Sequence, residues 1–459
     1  MLKNKNLYHT LTVIMALALP TMLEQLMQTA VQYIDTAMVG TLGTHATAAV
    51  GSTVTINWLI SSTVSALGVG FLSHLARSLG AKEEAKAKRI AMQATLCCLI
   101  AGIFFTLVTT LLSPFVPVFL QVDPEIHSLT STYFLILYLP MLFRSATIIF
   151  GTLLRASGDS KTPMYAGILT NIINIILNFF LIFPSQVVNI AGLSIFIPRA
   201  SLGVIGAALA SAISFVIGGL YITVAFFNHK TISPRKLPFK FDKAILTPCL
   251  KTAFPNMLQR FATSLGYVVF ASLINSLGQI STAATTVANT VESLFYIPAY
   301  GMQTAAATLS GNAAGAGNRK KMKEYTSLIL ITEFSLMVIS GAMLFIFAPN
   351  LSSLFSEDTK VIALSSFILR MVALSEPFYG VFIIIEGILQ GVGETVYPLK
   401  INLLGMWIIR NAGTFICIHV FSLGLVAAWG CMIAHNMLSF ILFVIYYLKG
   451  NWNPLNERK

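Results

Sequence analysis

Four polar residues interrupt the first long apolar stretch of the chain at helical period: Glu24, Gln28, Gln32 and Asp35, spaced 4, 4 and 3. That spacing puts all four on one face of a helix. Pro20 stands one turn before the stripe and loosens the local backbone hydrogen bonding. A face this polar must meet water or other polar groups, since lipid offers it no partners. Asn171, Asn174 and Asn178 fall in a later apolar stretch, the last two one turn apart, and Ser211 falls in the next. A carboxylate joined by amide and hydroxyl oxygens supplies hard ligands suited to Na+. If buried, the same carboxyl can carry a proton instead. Asp35 is therefore the expected cation-coupling acid and possible Na+ ligand, with Asn174, Asn178 and Ser211 as partners. Two plainer readings stand beside it: a helix-end acid in external water for Asp35, and interhelical hydrogen bonding for the asparagines.

The elements that must position these groups are membrane spans. Of 459 residues, 56% are hydrophobic and only 10% charged, and mean hydropathy is +0.79. A soluble chain carries about 25% charged residues, so a cytosolic enzyme, a nucleic-acid-binding domain and a disordered scaffold are excluded. Five scattered cysteines without CxxC spacing predict neither a disulfide framework nor a metal site. The first apolar stretch is of full spanning length and lacks a small-residue cleavage site, so no cleavable leader is expected.

Twelve stretches reach the roughly 20 apolar residues a spanning helix needs: 11–39, 47–75, 91–113, 129–152, 163–184, 203–227, 252–274, 280–310, 326–348, 362–389, 397–420 and 424–448. Of the 29 Lys and Arg, 23 fall in the terminal segments and alternate loops, among them Lys3, Lys5, Arg77, Lys82, Lys240, Arg319, Lys320, Arg458 and Lys459. The opposite loops hold only Arg199 and Lys360. Short basic loops stay inside, so both termini are expected in the cytoplasm of a multi-pass inner-membrane protein, with membrane lipids as partners.

The two halves repeat at an offset of 235 residues: Pro20 with Pro255, Gly43 with Gly278, Gly80 with Gly315, Pro114 with Pro349, Asp123 with Asp358, Gly158 with Gly393 and Pro163 with Pro398. The register then changes to 221 at Leu202-Gly203 and Leu423-Gly424, leaving 14 extra residues in the first half, most simply in an outer loop Gln186–Arg199. Six spans per half give both halves one orientation. The predicted fold is thus an all-α integral membrane protein, twelve helices in two six-helix lobes related by a pseudo-two-fold along the membrane normal. Residues 1–228 form the first lobe, 229–251 a basic linker and 252–459 the second lobe.

The repeat also ranks the remaining buried charges. Asp35 maps to Phe270, Glu292 to Asn57 and Glu386 to Gly151, so the coupling acid has no counterpart and the site is asymmetric. Glu24 and Arg260 each follow their proline at matching depth. That suggests a cross-lobe ion pair, with partners inside each lobe as the alternative. Glu376, next to Pro377, reads more readily as an interfacial acid. Tyr267 and Tyr379 stand among aromatic residues suited to flat organic cations. The expected substrate cleft comprises Glu24, Gln28, Gln32, Arg260, Tyr267, Glu292, Tyr379 and Glu386. No HExxH, P-loop or GxSxG motif occurs, so no enzyme activity and no cofactor beyond a coupling H+ or Na+ is expected.

These features coincide with family motifs. Leu19-Pro20 followed by Asp35-Thr36-Ala37-Met38-Val39-Gly40, then Leu79-Gly80-Ala81-Lys82, Leu154-Arg155-Ala156-Ser157-Gly158-Asp159 and Gly311-Asn312-Ala313-Ala314-Gly315-Ala316-Gly317-Asn318 run across nearly the whole chain. With them the chain resembles the multidrug and toxic compound extrusion (MATE) family, in its NorM/DinF-like bacterial branches. The resemblance implies secondary active export of amphipathic organic cations in exchange for H+ or Na+ by alternating access. It puts the coupling acid on Asp35 and its polar partners on Asn174 and Asn178. Where the NorM-like branch carries second-lobe acids, this chain has Thr263 and Tyr379, which puts a second cation site in doubt. A flippase for a lipid-linked sugar is the alternative. Small amphipathic molecules are the expected partners, nucleic acid is not, and a monomer is expected.

Overall fold

A computed structural model of the chain describes residues 2–120, 122–190 and 193–456. Of the basic residues used to orient the chain, Arg458 and Lys459 lie outside the described residues. The first half comprises α1 (Leu2–Gly40), α2 (Thr44–Gly80), α3 (Glu84–Leu112), the single turn α4 (Val116–Phe119), α5 (His127–Tyr138), α6 (Met141–Ala156), α7 (Lys161–Leu181) and α8 (Gly203–Asn228). The second comprises α9 (Lys243–Asn275), α10 (Gln279–Phe295), α11 (Ile297–Gly315), α12 (Arg319–Ser353), α13 (Thr359–Gly391), α14 (Val396–Leu403), a π-helical stretch Leu404–Ala412, α15 (Gly413–His419) and α16 (Leu425–Lys449).

Ten described helical segments are long and apolar enough to cross a membrane, and α5 with α6, bent by 47°, make an eleventh span. The twelfth is the pair α10 and α11, which together occupy the repeat position of α2. The ends of α1, α2 and α6 and the starts of α2, α3 and α7 recur 235 residues later at Asn275, Gly315, Gly391, Gln279, Arg319 and Val396. Twelve helices in two six-helix lobes are thus built from one duplicated backbone. Its turns are duplicated too: Gly43 and Gly278 adopt φ of 103° and 95°, and Gly158 and Gly393 adopt 93° and 85°. This left-handed region is open to glycine at little cost.

Three departures from the sequence reading have local causes. Gln186–Arg199, expected as a loop, lies within a β-hairpin of β1 (Pro184–Ile190) and β2 (Leu193–Ala200), paired antiparallel from Pro184–Ala200 to Ile190–Leu193. Its runs of Val and Ile have strong strand propensity. The continuous span 129–152 is broken at Leu139-Pro140, and 280–310 at Tyr296, just before Pro298. Proline withholds a backbone donor and clashes with the preceding turn.

The lobes meet through glycines at the face that carries the termini. A Cβ on Gly80 would come within 2.0 Å of the Asn312 carbonyl oxygen, and one on Gly315 within 1.9 Å of that of Arg77. These two contacts are repeat-related, so α2 and α11 cross backbone to backbone. A Cβ on Gly70 would come within 2.5 Å of Ala253 and 2.6 Å of the Cys249 carbonyl oxygen of α9, and one on Gly301 of α11 within 2.3 Å of Met22 and 3.0 Å of the Ala18 carbonyl oxygen of α1. Consequently Cys249 and Ala253 belong to the first half's core, while Ile14, Leu17 and Ala18 belong to the second's.

Candidate functional site

The first-lobe site is a chain of polar side chains drawn from three spans. Asn178 Nδ2 donates to Asp35 Oδ1 at 2.6 Å and to Asn174 Oδ1 at 3.1 Å, and Asn174 Nδ2 donates to Ser211 Oγ at 3.1 Å. The i, i+4 spacing of the asparagines on α7 aims both amides at one point of α1. Asn171, Asn174 and Asn178 are buried, whereas Asp35 is half-buried. With its amide nitrogen toward α1, Asn174 donates to Asp35 Oδ1 at 2.8 Å and Oδ2 at 3.2 Å and accepts from Ser211 Oγ at 3.1 Å, the arrangement that suits an ionised carboxylate, which only accepts.

The rest of the α1 stripe divides. Gln28 and Gln32 are exposed, whereas Glu24 is buried and accepts from Arg155 Nη2 of α6 at 2.5 Å. The expected pairing of Glu24 with Arg260 is thus replaced by a pair inside the first lobe. The reason is helix adjacency: α1 and α6 both pack on α7 and on α11, which brings Glu24 to Arg155, whereas α9, which carries Arg260, packs on α2. Gly167 on α7 lets Glu24 lie close, since a Cβ there would stand 3.1 Å from Glu24 Cγ.

In the second lobe Glu292, 5% exposed, accepts from the Tyr296 hydroxyl. Tyr296 stacks on Tyr379 at 4.3 Å, whose hydroxyl is 3.4 Å from that of Tyr300. The Arg410 guanidinium lies over Tyr267 at 5.1 Å and Phe270 at 5.2 Å. Glu386 is separate: it is buried and accepts from Gln259 at 2.8 Å and Gln390 at 3.0 Å, so its place is helix packing rather than an open cleft. Glu376 is not interfacial. It is fully buried mid-helix on α13, with both carboxyl oxygens unpartnered among the described residues, because its flanks pack on α12 near Gly341.

Three contributors went unassigned in the sequence reading. Arg155 sits in a quoted motif, yet nothing local indicates its partner. Arg144 donates to Asn57 Oδ1, and to Ser61 Oγ at 2.9 Å. Glu333 of α12 is fully buried beneath Gly380, its carboxyl oxygens unpartnered among the described residues. A charge in the span 326–348 was the available signal for Glu333.

Duplicated six-helix lobes with polar clusters at membrane depth define the class: a polytopic transporter with parallel repeats. The chain belongs to the MatE family, whose match covers residues 20–180 and 255–416, once in each half. Over 438 residues it is 28% identical to the probable multidrug resistance protein NorM of Thermotoga maritima, covering 95% of this chain and 92% of that one. It is 23% identical to the multidrug export protein MepA of Staphylococcus saprophyticus, over 95% and 93% of the two chains. In fold it matches a MOP superfamily transporter of Pyrococcus furiosus with a TM-score of 0.88, 24% identity and coverage of 97% and 96%. A MATE structure in complex with MaD3S matches with a TM-score of 0.87, 23% identity and 96% coverage of each chain.

Proposed function

We propose that the chain is a secondary active multidrug efflux antiporter. It exports amphipathic organic cations across the inner membrane in exchange for H+ or Na+, with both termini in the cytoplasm. The observation that carries this reading is the Asp35–Asn178–Asn174–Ser211 cluster, an acid at membrane depth whose partners are all neutral. A cation arriving at Asp35 changes what the carboxyl asks of the two amides. Once the carboxylate charge is neutralised, the charge-assisted bond from Asn178 weakens, and with it the hold between α1 and α7. Cation and cargo then favour opposite-facing states, so an inward cation gradient drives cargo out. For Na+ the amides must present oxygens; for H+ one amide oxygen suffices. The related multidrug resistance and export proteins support the cargo class.

The test is efflux of a fluorescent organic cation from reconstituted vesicles under an imposed pH or Na+ gradient, wild type beside Asp35→Asn. Gradient-driven export lost in the variant supports the antiporter and identifies its ion. Folded protein that exports under neither gradient defeats the reading and turns attention to a lipid-linked cargo.

A further inference from the structure

Two cysteines meet in the last helical hairpin of the chain. Cys417 Sγ of α15 and Cys431 Sγ of α16 lie 3.7 Å apart, although 14 residues separate them in sequence. Among the described residues this is the one contact between two thiols. Cys98 and Cys249 are buried and Cys97 is half-buried, each without a sulfur partner.

Helical period and one tight turn bring them together. Gly413 and Cys417 are one turn apart and share a face of α15. Cys431 lies against that face, since a Cβ on Gly413 would stand 3.3 Å from its sulfur. The bare glycine leaves the Cys431 thiol room to swing toward Cys417. Beyond α15 the chain reverses at once: the Leu423 N–H donates to the Cys417 carbonyl at 2.8 Å, and Ser422 takes a left-handed φ of 51°. That hydrogen bond anchors the backbone of Cys417 beside α16. A disulfide holds its sulfurs about 2.05 Å apart. Closing from 3.7 Å takes about 1.6 Å, a movement on the scale of side-chain rotation.

Position favours oxidation as well. Both cysteines are only half-buried, so a small oxidant reaches them. From this turn α16 runs to the face that carries the termini, so the thiols lie toward the opposite face. Cys417 stands two residues from the end of α15, and Cys431 six residues into α16. With the termini in the cytoplasm that face is outside, where disulfides form and persist.

We propose that Cys417 and Cys431 are a redox-active dithiol whose oxidation to a disulfide braces the outer end of the second lobe. The oxidant is a disulfide of the extracytoplasmic space, that of a dithiol oxidase or of oxidised glutathione. One cysteine thiolate attacks it and releases a thiol; the other cysteine then attacks the mixed disulfide and releases the second. Two electrons pass to the oxidant's sulfurs, and the two protons lost by the cysteines end on the released thiols. The new bond ties α15 to α16, next to the π-helical stretch Leu404–Ala412 that packs on α16. It stabilises by restricting the unfolded chain. The compartment rests on the orientation proposed above; the dithiol does not.

The purified full chain, treated with reduced or oxidised glutathione and then denatured, is counted with a maleimide that adds one polymer chain per free thiol. The reduced wild type should carry adducts on all five cysteines, whereas the oxidised form should lose those on Cys417 and Cys431 alone. An unreduced chymotryptic digest should hold the two in one disulfide-linked species, since Phe421 and Trp429 lie between them. Oxidation should raise the thermal unfolding midpoint by about 2–5 °C, with no such rise in Cys417→Ser or Cys431→Ser. Retention of all five adducts, glutathione held on either cysteine without closure, or a bond that leaves the midpoint unchanged overturns the inference. Sealed vesicles of the two orientations, given oxidised glutathione that does not cross the bilayer, then place the pair. Oxidation only where the outer face is exposed supports the outer brace. Oxidation only in inverted vesicles overturns the orientation reading and leaves the dithiol standing.

Discussion

Where the first lobe sets Asp35 against Asn174 and Asn178, the second sets Phe270 against Arg410. Backbone boundaries and turn glycines agree between these regions almost residue for residue, yet their charges are opposite. Helical backbone satisfies its own hydrogen bonds, so a duplicated scaffold holds its shape while the side chains in its polar niches diverge. The π-helical stretch Leu404–Ala412, which carries Arg410, has no counterpart in α7 and adds to the difference. Equivalence of fold between the lobes is therefore no guide to equivalence of role.

The largest test of that contrast is Asp35→Asn beside Glu292→Gln. The first should reduce gradient-driven export to the level of empty vesicles, whereas the second should leave coupling to the gradient measurable while weakening cargo binding. Coupled export surviving in Asp35→Asn would move the coupling acid to the other lobe. Next in size is the buried pair. Glu24→Gln leaves Arg155 uncompensated and should cost about 3 kcal/mol of stability, read as a drop in the thermal unfolding midpoint. Exchanging the two residues as Glu24→Arg with Arg155→Glu should recover part of it, while adding Arg260→Glu to Glu24→Arg should not.

A smaller effect is expected at the seam. Gly315→Ala forces a Cβ toward the Arg77 carbonyl, 1.9 Å away, and should cost the closed seam about 1–3 kcal/mol. Gly51→Ala, with nothing within 4 Å of the added atom, serves as its control. Cysteine-labelling rates on the termini-bearing side should rise in the first variant only. Equal rates in both would mean the glycine crossing does not hold the seam.

The smallest effect is at the linker. The Arg89 guanidinium beside Asp242 holds this acid below the usual carboxylate range. A depressed carboxyl stabilises above its unfolded value, about 3.9, and loses that contribution as pH falls through its lower folded value. The slight difference in unfolding midpoint between wild type and Asp242→Asn at neutral pH should therefore vanish in strong acid. A difference that persists there would assign the effect to something other than the ion pair.

The sequence by itself determined the twelve spans, the duplication and the residues of the Asp35 cluster, because helical period is local: Asn174 and Asn178 must share a face whatever surrounds them. It also showed that the acid Glu292 stands where the first half has the neutral Asn57, 235 residues earlier. Which helix lies beside which was decided only in three dimensions. Glu24 meets Arg155 and not Arg260 because α1 and α6 share α7 and α11 as neighbours, with Gly167 leaving room for the Glu24 side chain and Gly301 letting α11 approach α1. The burial of Glu376 and Glu333 follows from the packing of α12 on α13, and the hairpin after α7 from pairing between two short strands. Contacts of this kind depend on distance across the fold, which periodicity along a single helix does not encode.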